Sequence, residues 1–210
     1  MKTKKYFLVG SGLIIVLVSL VISVRHVRGT ASISEAANLK MKGPQNAPVQ
    51  LVIYSDFQCP ACKNAVAPLE EIRSQFAQDL KIEFRHFPLE RPHRWTLVAA
   101  TFAQCAAEQN KFWQFHDLLF QNQATWSAST DPLPIFASYV QETGLNTKKF
   151  ESCVQNPEIL KQIRKEYSLG SKQGVQSTPT IFINGQMLVG SAQLKEKGPA
   201  IITEELKKQK

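Results

Sequence analysis

Cys59 and Cys62 stand two residues apart in "SDFQCPACKNA", with Pro60 and Ala61 between them. Two thiols at this spacing can hold a metal, staple the chain, or cycle as a dithiol/disulfide couple. A structural zinc site needs two more Cys or His ligands. The only candidates, His86 and His93, are separated by Pro88 and Pro92, and no second close cysteine pair exists. A structural bridge across two residues closes almost no loop and so constrains the unfolded chain little. Disulfide exchange asks for one acidic sulfur that attacks and a second that resolves the mixed disulfide. The sequence favours this third chemistry.

The surrounding elements decide whether the two sulfurs differ in that way. "PVQLVIYS" (48–55) is an apolar, β-rich run of one strand's length. Pro60 opens the next element, at a position where a helix has no use for its missing N–H. Behind it Cys62, Ala65, Val66, Leu69, Ile72 and Phe76 recur at helical spacing, with a kink expected at Pro68. Cys59 therefore falls at a helix N-terminus, where unpaired N–H groups and the helix dipole favour a thiolate. It is expected to be the exposed nucleophile, and Cys62, one turn inside on the apolar face, the buried resolving thiol. Asp56 is the nearest acid and is read as capping the approach to the helix.

"LKIEFRHFPL" (80–89) reads as a second strand, and from about 93 to 170 the pattern is helical throughout. "TPTIFINGQMLVG" then places Asn184-Gly185 between two apolar runs, as a tight type I′ hairpin requires. The tail "SAQLKEKGPAIITEELKKQK" is amphipathic and is expected to be a helix interrupted near Gly198-Pro199. The order strand, helix, strand, helical block, hairpin, helix fits an α/β thioredoxin-like fold with an inserted all-helical domain. The divisions expected are 48–92 and 173–210 for the core and 93–172 for the insertion.

The formal charge of +8 arises mainly from residues 1–28, which hold five Lys and Arg and no acid. No basic run with interleaved aromatics indicates a nucleic-acid surface. Phe7 to Val24 is eighteen residues without a charge, long enough for a membrane-spanning helix, with lysines before it and Arg25, His26 and Arg28 after. A cleaved signal peptide is the rival reading, with a cut after Ala31, but its apolar stretch is usually shorter. The expectation is a transmembrane anchor with a cytoplasmic tail (1–28), a tether (29–47) and a domain outside the cell membrane, periplasmic or extracellular. In such a compartment cysteines pair, so Cys105 and Cys153 are expected to form a structural disulfide. His86, His93 and His116 are read as structural. Trp95, Trp113 and Trp126, with Phe112 and Phe115, are read as packing within the helical block.

"FQCPACKNAVAPLEEI", the "TPT" at Thr178 to Thr180, "FINGQ" and "FRHFPL" together resemble the DsbA-like thiol:disulfide oxidoreductases, over roughly Pro44 to Leu206. The resemblance implies that Pro179 is a cis-proline facing the cysteines and that Thr178 offers backbone groups to an extended substrate strand. It also implies exported, cysteine-containing proteins as substrates. The expected redox partner is a membrane protein of the DsbB or vitamin K epoxide reductase type, and no cofactor beyond the redox-active disulfide is expected. Two departures stand out. Relatives commonly carry Glu where this chain has Ile53, as a proton relay for the second cysteine. Strongly oxidising ones often have His where this chain has Ala61. A moderately oxidising couple is expected; a reductase or isomerase kept reduced by a membrane donor, or a binding module without exchange, are the alternatives.

Overall fold

The computed structural model describes residues 39–209. The expected anchor and most of the tether lie outside them. Among the described residues no helix is long and apolar enough to cross a membrane.

Five strands form one sheet in the order β1-β3-β2-β4-β5: β1 (Met41–Lys42), β2 (Val49–Ser55), β3 (Leu80–His86), β4 (Thr180–Ile183) and β5 (Gln186–Val189). β2 and β3 run parallel, joined by α1 (Pro60–Gln75), while β4 lies antiparallel to β2 and makes a hairpin with β5. The turn residues Asn184 and Gly185 both have positive φ, 44° and 87°, the geometry a type I′ turn demands.

The alternation along β2 and β3 turns Leu51, Ile53, Ile82 and Phe84 toward α1 and α8 (Gly190–Lys207). Each such burial contributes about 1.5–3 kcal/mol. Gly198 lets α8 close on α1, since a Cβ there would meet Ile72 Cδ1 at 3.0 Å. The expected interruption at Gly198-Pro199 is corrected: α8 runs unbroken through both residues. Burial of Leu194, Gly198 and Ile202 on one face holds the helix across the proline. α1 likewise continues through Pro68.

The helical block comprises α2 (Thr96–Ala107), α3 (Phe112–Gln121), α4 (Gln123–Ala128), α5 (Leu133–Glu142), α6 (Thr147–Val154) and α7 (Pro157–Lys172). A disulfide joins Cys105 on α2 to Cys153 on α6. Trp126 is fully buried and donates its indole N–H to Leu119 O at 2.7 Å.

Two boundaries drawn from sequence shift. α7 belongs to the core, because it covers the second sheet face. Tyr167 stacks on Phe87 at 4.3 Å, and Gly170 sits against Tyr54 and Phe87 with no room for a Cβ. The stretch read as tether also reaches into the sheet, since Met41 and Lys42 pair with β3. Lys40 is buried in an ion pair with Glu166 of α7.

Candidate active site

β2 ends at Ser55, and Asp56 to Gln58 turn the chain into α1. Cys59 occupies the N-cap position with extended backbone (φ −74°, ψ 121°), and Pro60 is the first helical residue. Cys59 N–H donates to Asp56 O at 3.1 Å, closing the turn.

Asp56 holds this turn in place. Its buried carboxylate accepts from Gln58 N at 2.8 Å, Leu89 N at 2.9 Å, the Thr96 hydroxyl and, at 2.8 Å, pairs with His93 Nδ1. The sequence reads Asp56 as capping the approach to α1, and its Oδ1 accepts from Gln58 N there, while no side chain caps the helix start itself. The carboxylate also ties the cysteine turn to the 89–96 loop and to α2. A second clamp comes from the helical block, where Gln123 Nε2 donates to Phe57 O at 2.8 Å and Cys59 O at 2.9 Å. Gln58 Oε1 accepts from Trp95 N at 2.7 Å. Neither glutamine was singled out from sequence, and no local pattern marks them.

Both thiols are free, and they differ sharply in electrostatics. The Cys59 thiol is pulled down from its ordinary value of 9.0 to about 5. The Cys62 thiol, which donates to it, is the largest cause; burial opposes the shift, while Thr178 and the N–H groups of Cys62 and Ala61 support it. The Cys62 thiol is pushed well above the ordinary value, first by burial and then by the neighbouring Cys59 sulfur. Asp56 N–H points at Cys62 Sγ at 3.4 Å.

Cys59 is 7 % exposed and Cys62 2 %. The expectation of an exposed Cys59 is corrected: the segment before β4 covers it, with Cys59 Sγ donating to Thr178 O at 3.4 Å in the thiol form. The Thr178–Pro179 peptide is cis. The buried Thr178 hydroxyl makes no conventional hydrogen bond, yet lies close enough to the Cys59 sulfur to favour its thiolate. Ala61 is half-buried against the core, and its methyl group offers the sulfur no hydrogen bond. Ile53 is buried in the core.

The histidines separate. His93 meets Asp56, His116 is buried with Nδ1 on Asp117 at 2.7 Å, and His86 is buried beside Phe57 and Phe84. Among the described residues no group of three or more His, Cys, Asp or Glu is arranged to hold a metal ion.

A parallel strand feeding a helix that begins at the cysteine pair, faced by the segment before β4, defines a thioredoxin-type dithiol site. The chain belongs to the thioredoxin family, whose model matches residues 38–202. Its fold is that of the DsbA-like thiol–disulfide oxidoreductases. BdbD from Bacillus subtilis superposes with a TM-score of 0.71 at 23 % identity, covering 80 % of this chain and 92 % of that one. The thiol-disulfide exchange protein alpha-DsbA2 from Wolbachia pipientis gives 0.67 at 20 % identity, covering 82 % and 92 %. In sequence, the Na(+)/H(+) antiporter NhaA 1 of Mycolicibacterium vanbaalenii is 32 % identical over 163 residues, 76 % of this chain. The chain spans only 24 % of that antiporter's length, so the likeness is domain-sized.

Proposed function

We propose that this protein is a thiol–disulfide oxidoreductase that exchanges disulfides with exported, cysteine-containing proteins, running in the oxidising direction. The observation that carries this reading is the asymmetry of the two sulfurs: Cys59 ionises near pH 5 while Cys62 stays protonated far above. A thiolate stable at neutral pH is a good leaving group, so once a substrate thiolate has attacked Cys59 Sγ of the disulfide, Cys59 is readily released from the resulting mixed disulfide. Stabilising the reduced pair makes the oxidised pair the stronger oxidant.

In this scheme the substrate thiolate attacks Cys59 Sγ and the Cys59–Cys62 bond breaks, leaving Cys62 to take up a proton. A second substrate thiolate then attacks the substrate sulfur of the mixed disulfide and Cys59 departs as thiolate. Two electrons pass from substrate to the cysteine pair. In the reverse sense Cys62 resolves the mixed disulfide. Thr178 and Pro179 bound the site opposite α1, and Pro60, Ala61 and Asp56 shape the turn that presents the sulfur. The disulfide itself is the only redox group the scheme needs. Reoxidation falls to a membrane partner of the DsbB or vitamin K epoxide reductase type, with the domain outside the cell membrane and residues 7–24 as its anchor.

The test is the reduction potential of the Cys59–Cys62 couple, equilibrated against glutathione, together with thiol trapping in cells. A potential above that of thioredoxin, about −270 mV, and a mostly oxidised pair in cells are expected. A potential at or below that value with a mostly reduced pair establishes the reductase alternative instead. A Cys62→Ser variant should accumulate mixed disulfides with substrates; their absence leaves only a binding module.

A further inference from the structure

Cys62 must be the attacking sulfur whenever a mixed disulfide at Cys59 closes, yet its surroundings favour the thiol. Burial pushes the thiol up first, and the neighbouring Cys59 sulfur adds to it. The strongest influence in the opposite sense is the backbone N–H of Asp56, ahead of the Ser55 hydroxyl. That N–H points at Cys62 Sγ at 3.4 Å. Whatever holds it there bears on how readily Cys62 reacts.

The N–H belongs to the Ser55–Asp56 peptide, a trans unit whose carbonyl and N–H face opposite ways. The Ser55 carbonyl accepts from Phe87 N at 2.9 Å. One side of the peptide plane is therefore anchored to the segment after β3, and the other side faces the sulfur. The same segment holds the Asp56 side chain. Leu89 N, at 2.9 Å, and His93 Nδ1, at 2.8 Å, both meet Oδ2, while Gln58 N and the Thr96 hydroxyl donate to Oδ1. His93 N also donates to Leu89 O at 3.2 Å, which closes the loop on itself. Residues 87–93 grip one peptide unit by its backbone and by its side chain at once. An Asx turn needs only the Gln58 contact, so the three further donors exceed what the turn requires.

We propose that Asp56 and His93 are positioning residues for Cys62: their contact fixes the Ser55–Asp56 peptide with its N–H on the sulfur and so sets how fast Cys62 attacks. This rests on the disulfide-exchange reading above. In the step concerned, Cys62 Sγ attacks Cys59 Sγ of a mixed disulfide. The Cys59–Cys62 bond forms, and the bond from Cys59 to the other protein's sulfur breaks. The electron pair of that bond and the proton Cys62 gives up both end on the departing sulfur, which leaves as a thiol; Cys62 is the sulfur oxidised. An N–H already aimed at Cys62 Sγ stabilises the charge that gathers there without having to reorient.

His93 is the member of this pair that reaches solvent. Its side chain is 16 % exposed, against 0 % for Asp56. Replacing it opens no hole in the core, and it touches neither sulfur; its effect on Cys62 has to pass through Asp56. The titratable group that faces Cys62 directly is Cys59, which such a replacement leaves in place.

The test reacts the reduced full chain with an aromatic disulfide that yields coloured nitrothiobenzoate twice, once when Cys59 attacks it and again when Cys62 closes the pair. His93→Leu, and Asp56→Asn, which leaves one oxygen for two sets of donors, are expected to slow the second release about tenfold near neutral pH. They should also raise the midpoint of its pH profile by about one unit. His93→Asn, whose side-chain NH2 stands where Nδ1 does, should restore both. A second release of wild-type rate and midpoint in both variants overturns the proposal, as does equal slowing of the two releases or slowing with an unmoved midpoint. If the unsubstituted protein gives no second release, the exchange reading itself fails, which is a different result. A measurement without substitution guards against misfolding. With Cys59 alkylated, the Asp56 amide proton resonance should shift over the pH range in which the Cys62 thiolate absorbance rises, and a resonance that stays in place overturns the proposal.

Discussion

The two sulfurs at the start of α1 are chemically unequal because of what each touches. Cys59 receives hydrogen bonds from Cys62 and the helix start, while Cys62 is surrounded by core side chains. Thr178 adds to this from across the site. Replacing it with Val keeps its shape and removes the hydroxyl, so Thr178→Val should raise the Cys59 pKa by about one unit, the scale of one hydrogen bond to a charged group. Titration of the thiolate absorbance checks this. The depressed pKa also links to stability. Ionised Cys59 stabilises the reduced fold fully above the thiol's unfolded value, and that contribution is lost as pH falls through about 5. The reduced protein should therefore melt above the oxidised one at neutral pH, with the gap narrowing toward pH 5; a gap independent of pH contradicts it. Much of this site was legible in the sequence, because a proline after the first cysteine and helical spacing behind it are local signals. The hub at Asp56 and the clamp at Gln123 were not, since apart from Gln58 their partners lie 33 or more positions away along the chain, and only folding brings them together.

At the scale of elements, β2, β3 and the β4–β5 hairpin at Asn184-Gly185 follow from period and turn chemistry, and the structure places them where those signals point, whereas β1 was read as tether. α7 was assigned to the insertion because its sequence is as helical as its neighbours. Which surface a helix covers depends on tertiary fit, and here the fit is carried by Gly170. A Cβ on that residue would meet Tyr54 and Phe87 ring atoms at 2.8–2.9 Å. Gly170→Ala should thus destabilise the protein by about 1–3 kcal/mol, even though alanine is the better helix former. Urea unfolding measures the balance, and a stabilised variant would show that α7 is free to shift. The same logic explains α8, where an internal proline was expected to interrupt the helix but burial of one face held it together.

For the whole molecule, the insertion has its own covalent staple. Cys105 and Cys153 bridge α2 and α6 across 48 positions. Closing a loop of that length stabilises by up to about 4 kcal/mol in the chain-entropy view. A Cys105→Ser/Cys153→Ser double variant should lose melting temperature accordingly while still carrying out exchange at Cys59; loss of exchange with an intact fold would assign the bridge a redox part. The insertion also reaches back to the catalytic turn, since Gln123 of α4 holds the carbonyls of Phe57 and Cys59. For anyone wishing to transplant this dithiol, the portable unit is larger than the motif. A graft of residues 55–62 onto a scaffold lacking α4 would strand the Phe57 carbonyl without that donor and free the turn to reorient. A chimera keeping the whole 55–128 block would carry its own jig.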